Sequence, residues 1–193
     1  PRQYKLKDLY DAFEFALISE GVLKSDKIYD LNNILKVRLD SIISGDYGEY
    51  FEVNEYITKE EYIKKLFTNE NGERVQIVNF NLNYVDERFA KTLTKIYSKL
   101  FLDYATSLPN NEEFSVQIVL EEAHRYVQND SDIDTIGYNI FDRITKEGRK
   151  YGVILGLITQ RPSELSTTAL SQCSNYVVLR MFHPADLDII KNI

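Results

Sequence analysis

VQIVLEEAHRY, residues 116–126, opens with five residues, four of them apolar, and runs straight into two adjacent carboxylates, Glu121 and Glu122. A continuous apolar run this short suits a strand covered on both faces, the kind found in parallel sheets. The flanking sequence repeats the pattern. RVQIVNF (74–80) precedes it, and VILGLIT (153–159) and NYVVLRMF (175–182) follow. Between these runs the apolar residues take helical spacing. Phe89, Leu93, Ile96, Leu100 and Phe101 recur in DERFAKTLTKIYSKLFLDY, and Ile136, Ile140, Phe141 and Ile144 recur in IDTIGYNIFDRITKEG. Pro184 suits the first turn of a closing helix. Strands alternating with helices predict an α/β fold, a three-layer, mostly parallel sheet covered on both faces, with ligands at the carboxyl ends of its strands.

Residues 1–70 read differently, as a helical segment ahead of the strand-bearing residues 71–193. In KLKDLYDAFEFALISEG, Leu9, Phe13, Ala16 and Leu17 share a helical face, and Gly21 stands where a C-cap would end it. In SDKIYDLNNILKVRLDSIISG a stripe of Ile28, Leu31, Leu35, Leu39 and Ile42 starts after a cap at Ser25 or Asp26 and stops at Gly45. These two helices are expected to pair antiparallel. Thr58 followed by Glu61 is a capping-box signature for a short helix containing Ile63 and Leu66. TNENGE (68–73) and PNNEE (109–113) are polar turns.

The 193 residues suffice for one domain with a sizeable core, and 44% hydrophobic with 27% charged residues is the balance of an ordinary globular protein. A net charge of −7 excludes a broad basic face for coating nucleic acid. The longest apolar runs fall far short of the roughly 18 residues that span a bilayer. The single cysteine, Cys173, is read as a small core residue and agrees with a reducing compartment, so the protein is expected to be cytoplasmic. The chain opens on Pro1 and stops in the apolar, helix-like run PADLDIIKNI, which reads as a piece of a longer protein.

If VQIVL and VILGLIT are neighbouring strands, Glu121, Glu122, Thr159 and Gln160 converge on one crevice. An acid there can hold Mg²⁺, which takes oxygen ligands and keeps several waters. A second acid can polarise an attacking water, and a glutamine amide can orient that water or sense a terminal phosphate. The bland alternative is a pair of glutamates ending a strand at solvent. His124 beside them does not complete a metal-hydrolase site, because Glu-Glu-x-His lacks a second histidine and a third ligand. His183, before Pro184, reads as a helix cap or surface residue.

EEAHRY, KEGRKYG, ITQRPSEL, LSQC and VVLRMFHPADL occur in this order and together resemble the C-terminal half of the ATPase core of HerA-type DNA translocases, relatives of FtsK. The resemblance covers roughly residues 74–193 and implies a RecA-like P-loop fold. It implies that Glu121 is the Walker B acid on Mg²⁺, that Glu122 is the glutamate that activates water, and that Gln160 is the polar sensor of the γ-phosphate of ATP. Arg149 looks like the arginine finger that reaches a neighbouring subunit's nucleotide, and Arg161 and Arg180 are further cations at the nucleotide. Arg149 and Lys150 also suit a helix C-terminus through the dipole alone, and Arg161 before Pro162 also suits a turn anchor. Implied partners are other copies of the chain in a hexameric ring, double-stranded DNA, and a nuclease or other effector.

One part of the family pattern is absent. None of the eight glycines, at 21, 45, 48, 72, 137, 148, 152 and 156, belongs to a G-x-x-x-x-G-K-[ST] phosphate loop. In the resembled family that loop follows a central strand lying between the equivalents of VILGLIT and NYVVLRMF, so the sheet is expected to be incomplete. Either those two strands close up on each other, or another copy covers the exposed edge. The expectation is a parent protein that hydrolyses ATP and a 193-residue chain that does not. The alternatives are a nucleotide-free assembly module derived from an ATPase, and a related conjugation or secretion ATPase.

Overall fold

The computed structural model describes residues 5–19, 26–45, 48–52, 56–108, 114–128 and 138–191. The chain divides into two compact units, Pro1–Tyr62 and Ile63–Ile193.

The first unit is helical: α1 (Leu6–Ser19), α2 (Asp26–Ser44) and the start of α3 (Lys59–Leu66). Helices α1 and α2 touch, and Lys36 Nζ on α2 meets Glu14 Oε1 on α1 at 2.5 Å. Gly45 follows the last residue of α2, as its position in the sequence predicts. Along the α2 stripe, Leu39 is half-buried while Leu35 and Ile42 remain exposed. Gly21, Ser25 and the side chains of Phe13, Ala16, Leu17, Ile28 and Leu31 lie outside the described residues. The capping box at α3 is formed in full. Thr58 N and Oγ1 each donate to Glu61 Oε2 at 3.0 Å, and Glu61 N donates to Thr58 Oγ1 at 3.2 Å.

The second unit is α/β. Its long helix α4 (Glu87–Ser107) starts on Asp86, whose carboxylate accepts from Arg88 N and Phe89 N. The strands β1 (Val116–Leu120) and β2 (Val153–Leu157) pair in parallel, with Val116 opposite Val153 and Leu120 opposite Leu157. The crossover between them carries α5 (Ile140–Glu147), and α6 (Thr167–Ser171) and α7 (Pro184–Lys191) follow β2. Pro184 opens α7 as expected. Val116, Ile118 and Leu120 face a core built from Ala90, Leu102 and Ala105 of α4 and Phe141 and Ile144 of α5. Among the described residues no helix is long and apolar enough to cross a membrane.

The sheet is smaller than the sequence predicts, with two strands among the described residues rather than four. RVQIVNF is not a strand. Asn69 accepts from Asn71 N and Glu73 N to make the predicted polar turn, Arg74 bridges back to Thr68, and Val75 N donates to Phe67 O. The backbone is thereby spent on its own turn, and Ile77 beyond it is 86% exposed. NYVVLRMF is not a strand either. It does not pair with β2, and Val177 and Leu179 stand 91% and 80% exposed. A strand is held by the ladder it makes, and the central strand that the family resemblance implies between β2 and NYVVLRMF is not part of this sequence.

Four further expectations change. Among the described residues the sheet carries helices on one face, and Val119 and Ile154 on the other are half exposed. Helix α5 begins at Ile140 because the Asn139 side chain caps it, accepting from Phe141 N and Asp142 N, and Ile136 lies outside the described residues. Helix α4 buries Ala90, Thr94, Ser98, Phe101, Leu102 and Ala105, whereas Ile96 of the predicted stripe is exposed. Cys173 is half-buried rather than a core residue, with its thiol pushed up by that burial. The PNNEE turn lies outside the described residues.

Gly152 joins the crossover to β2 in the left-handed region at φ 78°, and its carbonyl accepts the N–H of Val116 at 2.9 Å. A Cβ there would lie 2.4 Å from the Phe114 carbonyl oxygen. Gly152→Ala is therefore expected to destabilise the second unit by about 2 kcal/mol, from left-handed strain plus a clash with rigid backbone. An unfolding free energy from urea titration within about 0.3 kcal/mol of the unsubstituted chain would contradict this.

Candidate active site

The backbone at the carboxyl end of the sheet stays paired after the strands end. Ile158 N donates to Leu120 O and Ala123 N donates to Ile158 O, both at 2.9 Å. The chain must therefore turn within Glu121 and Glu122, and Glu122 adopts the left-handed conformation, φ 50° and ψ 44°. Among the described residues it is the one non-glycine with positive φ. That costs on the order of 1 kcal/mol and persists because the next residues are anchored: Ala123, His124, Tyr126 and Val127 are all buried.

This turn brings part of the predicted site together. Gln160 Nε2 donates to Glu122 at 3.2 Å from Oε1 and 3.4 Å from Oε2. Thr159 Oγ1 accepts from Arg161 N at 3.0 Å and lies 3.0 Å from His124 Nδ1. Glu121 is exposed at the same strand end. Two exposed carboxylates with a hydroxyl and an amide nearby form an oxygen-rich, solvent-open edge. Among the described residues no group of three or more His, Cys, Asp or Glu side chains could hold a metal. Such an edge suits a hard cation that keeps most of its waters rather than a caged one.

The three arginines are placed elsewhere. Arg149 lies in the short 3-10 turn Gly148–Tyr151 that leads into β2, at its amino end. A five-residue strand spans about 17 Å, so Arg149 does not meet Glu122 in the same chain. Arg161 follows Gln160, but its Nη1 pairs with Glu164 Oε1 at 3.1 Å. Arg180 stacks on Phe182, 4.7 Å from the ring centroid, within the exposed stretch after α6. His183 is on the surface, 3.5 Å from Asp186 Oδ2.

A second set of groups around the site is not visible in the sequence pattern. Asp186 on α7 is buried, and its Oδ1 accepts from Ser163 N at 3.0 Å and Ser163 Oγ at 2.6 Å, fixing the turn that follows Gln160. Ser166 caps α6 by accepting from Ala169 N and also donates to Asp142 Oδ1 of α5 at 2.8 Å. An acid in the first turn of a proline-led helix signals a cap, but nothing local signals a partner in another turn.

The Ser163 hydroxyl holds the Asp186 carboxyl below its ordinary value of 3.8 against the opposing effect of burial, helped by the Ser163 N–H, His183 and Arg161. A depressed folded value means the stabilisation is complete above 3.8 and is lost as pH falls below it. Asp186→Ala is expected to cost about 2 kcal/mol at neutral pH, with the gap to the unsubstituted chain narrowing in acid melts. A gap independent of pH would contradict the assignment. At Glu122, Glu122→Asn is expected to leave stability unchanged or raise it by up to about 1 kcal/mol, since asparagine tolerates left-handed backbone. A clear loss in thermal unfolding would mean that the Glu122 contacts outweigh its strain.

No protein-family model matches the chain. Individual relatives do. The chain is similar to the DNA double-strand break repair helicase HerA of Pyrococcus furiosus, 38% identical over 77 residues that make up 40% of this chain and 14% of that protein. It is similar to the helicase of the same name from Sulfurisphaera tokodaii, 34% identical over 113 residues, 55% of this chain and 22% of that one. It is also similar to a probable helicase of Methanocaldococcus jannaschii, 27% identical over 184 residues, 95% of this chain and 31% of that protein. Across the curated relatives the match spans from 13% to 31% of the relative's length. Over these stretches the chain is similar to HerA-type helicases and resembles their C-terminal portion.

Proposed function

We propose that this chain is the C-terminal part of the RecA-like ATPase core of a HerA-type DNA translocase or helicase and carries the metal and water side of an ATP site. The observation that supports this reading best is the contact between Glu122 and Gln160, two residues that follow neighbouring parallel strands. Glu121 would hold Mg²⁺ through a carboxylate oxygen. A bound Mg²⁺ would supply positive charge at the phosphate oxygens. Glu122 orients the attacking water and takes its proton at a carboxylate oxygen, and the Gln160 amide fixes that carboxylate while offering a donor to the terminal phosphate. Arg149, at the far end of β2, would serve the nucleotide of a neighbouring copy, with Arg161 and Arg180 as further cations at such a boundary.

In this reading the parent works in the cytoplasm as a ring, a hexamer by family resemblance, that moves double-stranded DNA and cooperates with a nuclease or other effector. The relatives' names favour it over a conjugation or secretion ATPase. The phosphate side of the site, a G-x-x-x-x-G-K-[ST] loop, is not in these 193 residues, so the chain alone is not expected to hydrolyse ATP. In a protein that joins this sequence to such a loop, Glu122→Gln should lower kcat by about 100-fold or more while nucleotide binding persists. Turnover by the 193-residue chain that Glu122→Gln abolishes would overturn the claim that it is inactive alone. Absence of any phosphate loop from the full-length protein would favour the nucleotide-free assembly module.

A further inference from the structure

His124 has no part in the roles given above, yet it touches both strand ends of the site. Its side chain is 11% exposed, and Nδ1 stands 3.4 Å from Glu122 Oε2 and 3.0 Å from Thr159 Oγ1. Thr159 in turn accepts the N–H of Arg161, and Gln160 between them donates back to Glu122. The imidazole therefore closes a ring of contacts running Glu122, His124, Thr159, Gln160 and back to Glu122. The Glu122–Gln160 contact lies in solvent, with the Glu122 side chain 48% exposed, so the buried ring supplies the fixed side of the circuit.

The tautomer follows from the neighbours. A carboxylate only accepts, so a bare lone pair on Nδ1 would face Glu122 Oε2 repulsively, whereas an Nδ1 proton makes both contacts favourable. Such a proton would meet the Thr159 oxygen at 3.0 Å first, with Glu122 Oε2 at 3.4 Å as its second acceptor.

We propose that His124 is a positioning residue whose Nδ1 proton holds the Glu122 carboxylate and the Thr159–Gln160 strand end in one mutual orientation. The proposal rests on the reading of Glu122 and Gln160 as the water and sensor groups, because misplacing a reacting group by an ångström costs rate.

Two measurements separate the failure of this proposal from failure of that reading. The first needs no nucleotide: ¹⁵N spectra of the imidazoles in the 193-residue chain, which has two histidines, so that His183→Gln assigns them. The expected result is a proton on Nδ1 of His124, with its signal moved by Thr159→Val and by Glu122→Gln and left in place by Thr159→Ser. An Nε2-protonated ring, or a signal that neither variant moves, overturns the proposal. The second is ATP turnover by a protein that joins this sequence to a G-x-x-x-x-G-K-[ST] loop. His124→Leu fills the volume without a donor and should lower kcat about 10- to 100-fold with KM for ATP within about threefold, while His124→Asn, which keeps a donor near the Nδ1 position, should recover most of the rate. Equal losses in the two variants, or a loss carried by KM, overturn it. If Glu122→Gln leaves turnover intact, the reading of the ATP site fails, and the ¹⁵N result alone decides whether His124 organises this strand end.

Discussion

Two main-chain hydrogen bonds just past the sheet, Ile158 N to Leu120 O and Ala123 N to Ile158 O, set the geometry on which the rest depends. They keep residues 120–123 against residue 158 after regular pairing stops, so no slack remains between Leu120 and Ala123. Glu122 has to turn left-handed, and Ala123, with no exposed surface, leaves the chain no room to relax away. The residues after that turn enter a core that includes Val127 and Phe141, both inaccessible to solvent. Packing on one side of the sheet end thus fixes the direction of a carboxylate on the other.

The sheet that carries this turn is built well on one face and left open on the other. Val116, Ile118 and Leu120 meet α4 and α5, and small residues at Ala90, Thr94 and Ala105 let α4 lie close. On the opposite face Val119, Ile154 and Ile158 are about half exposed, and the VVL run of 177–179 lies largely in solvent. Each such side chain would gain about 1.5–3 kcal/mol from full burial. Apolar patches of this kind mark surfaces made to be covered.

What could be read from the sequence divides along physical lines. The strands β1 and β2 were legible because continuous β-branched runs have few other uses, and the capping box at Thr58 was legible because both partners lie within one turn. RVQIVNF and NYVVLRMF have the same local signature and do not form strands, since a strand exists only with a partner and the partner is not encoded locally. The start of α5 was misread because Asn139 lies inside an apolar period that looks helical, and capping overrides the period. On α4 the stripe holds except at Ile96, and it omits Ala90, Thr94 and Ser98, because hydropathy gives little weight to alanine, threonine and serine, while a close helix–sheet contact favours them.

The site divides by strand polarity. In a parallel pair both carboxyl ends lie on one side, so residues that follow the two strands meet although they are far apart in sequence. This is why Glu122 and Gln160 could be paired from sequence once the strands were recognised. The same rule separates Arg149 from them, because it precedes β2. The contacts of His124 with Thr159 and of Ser163 with Asp186 had no such rule to reveal them. A histidine, a serine or an aspartate can bond many partners, and only the turn forced at Glu122 and the docking of α7 select these.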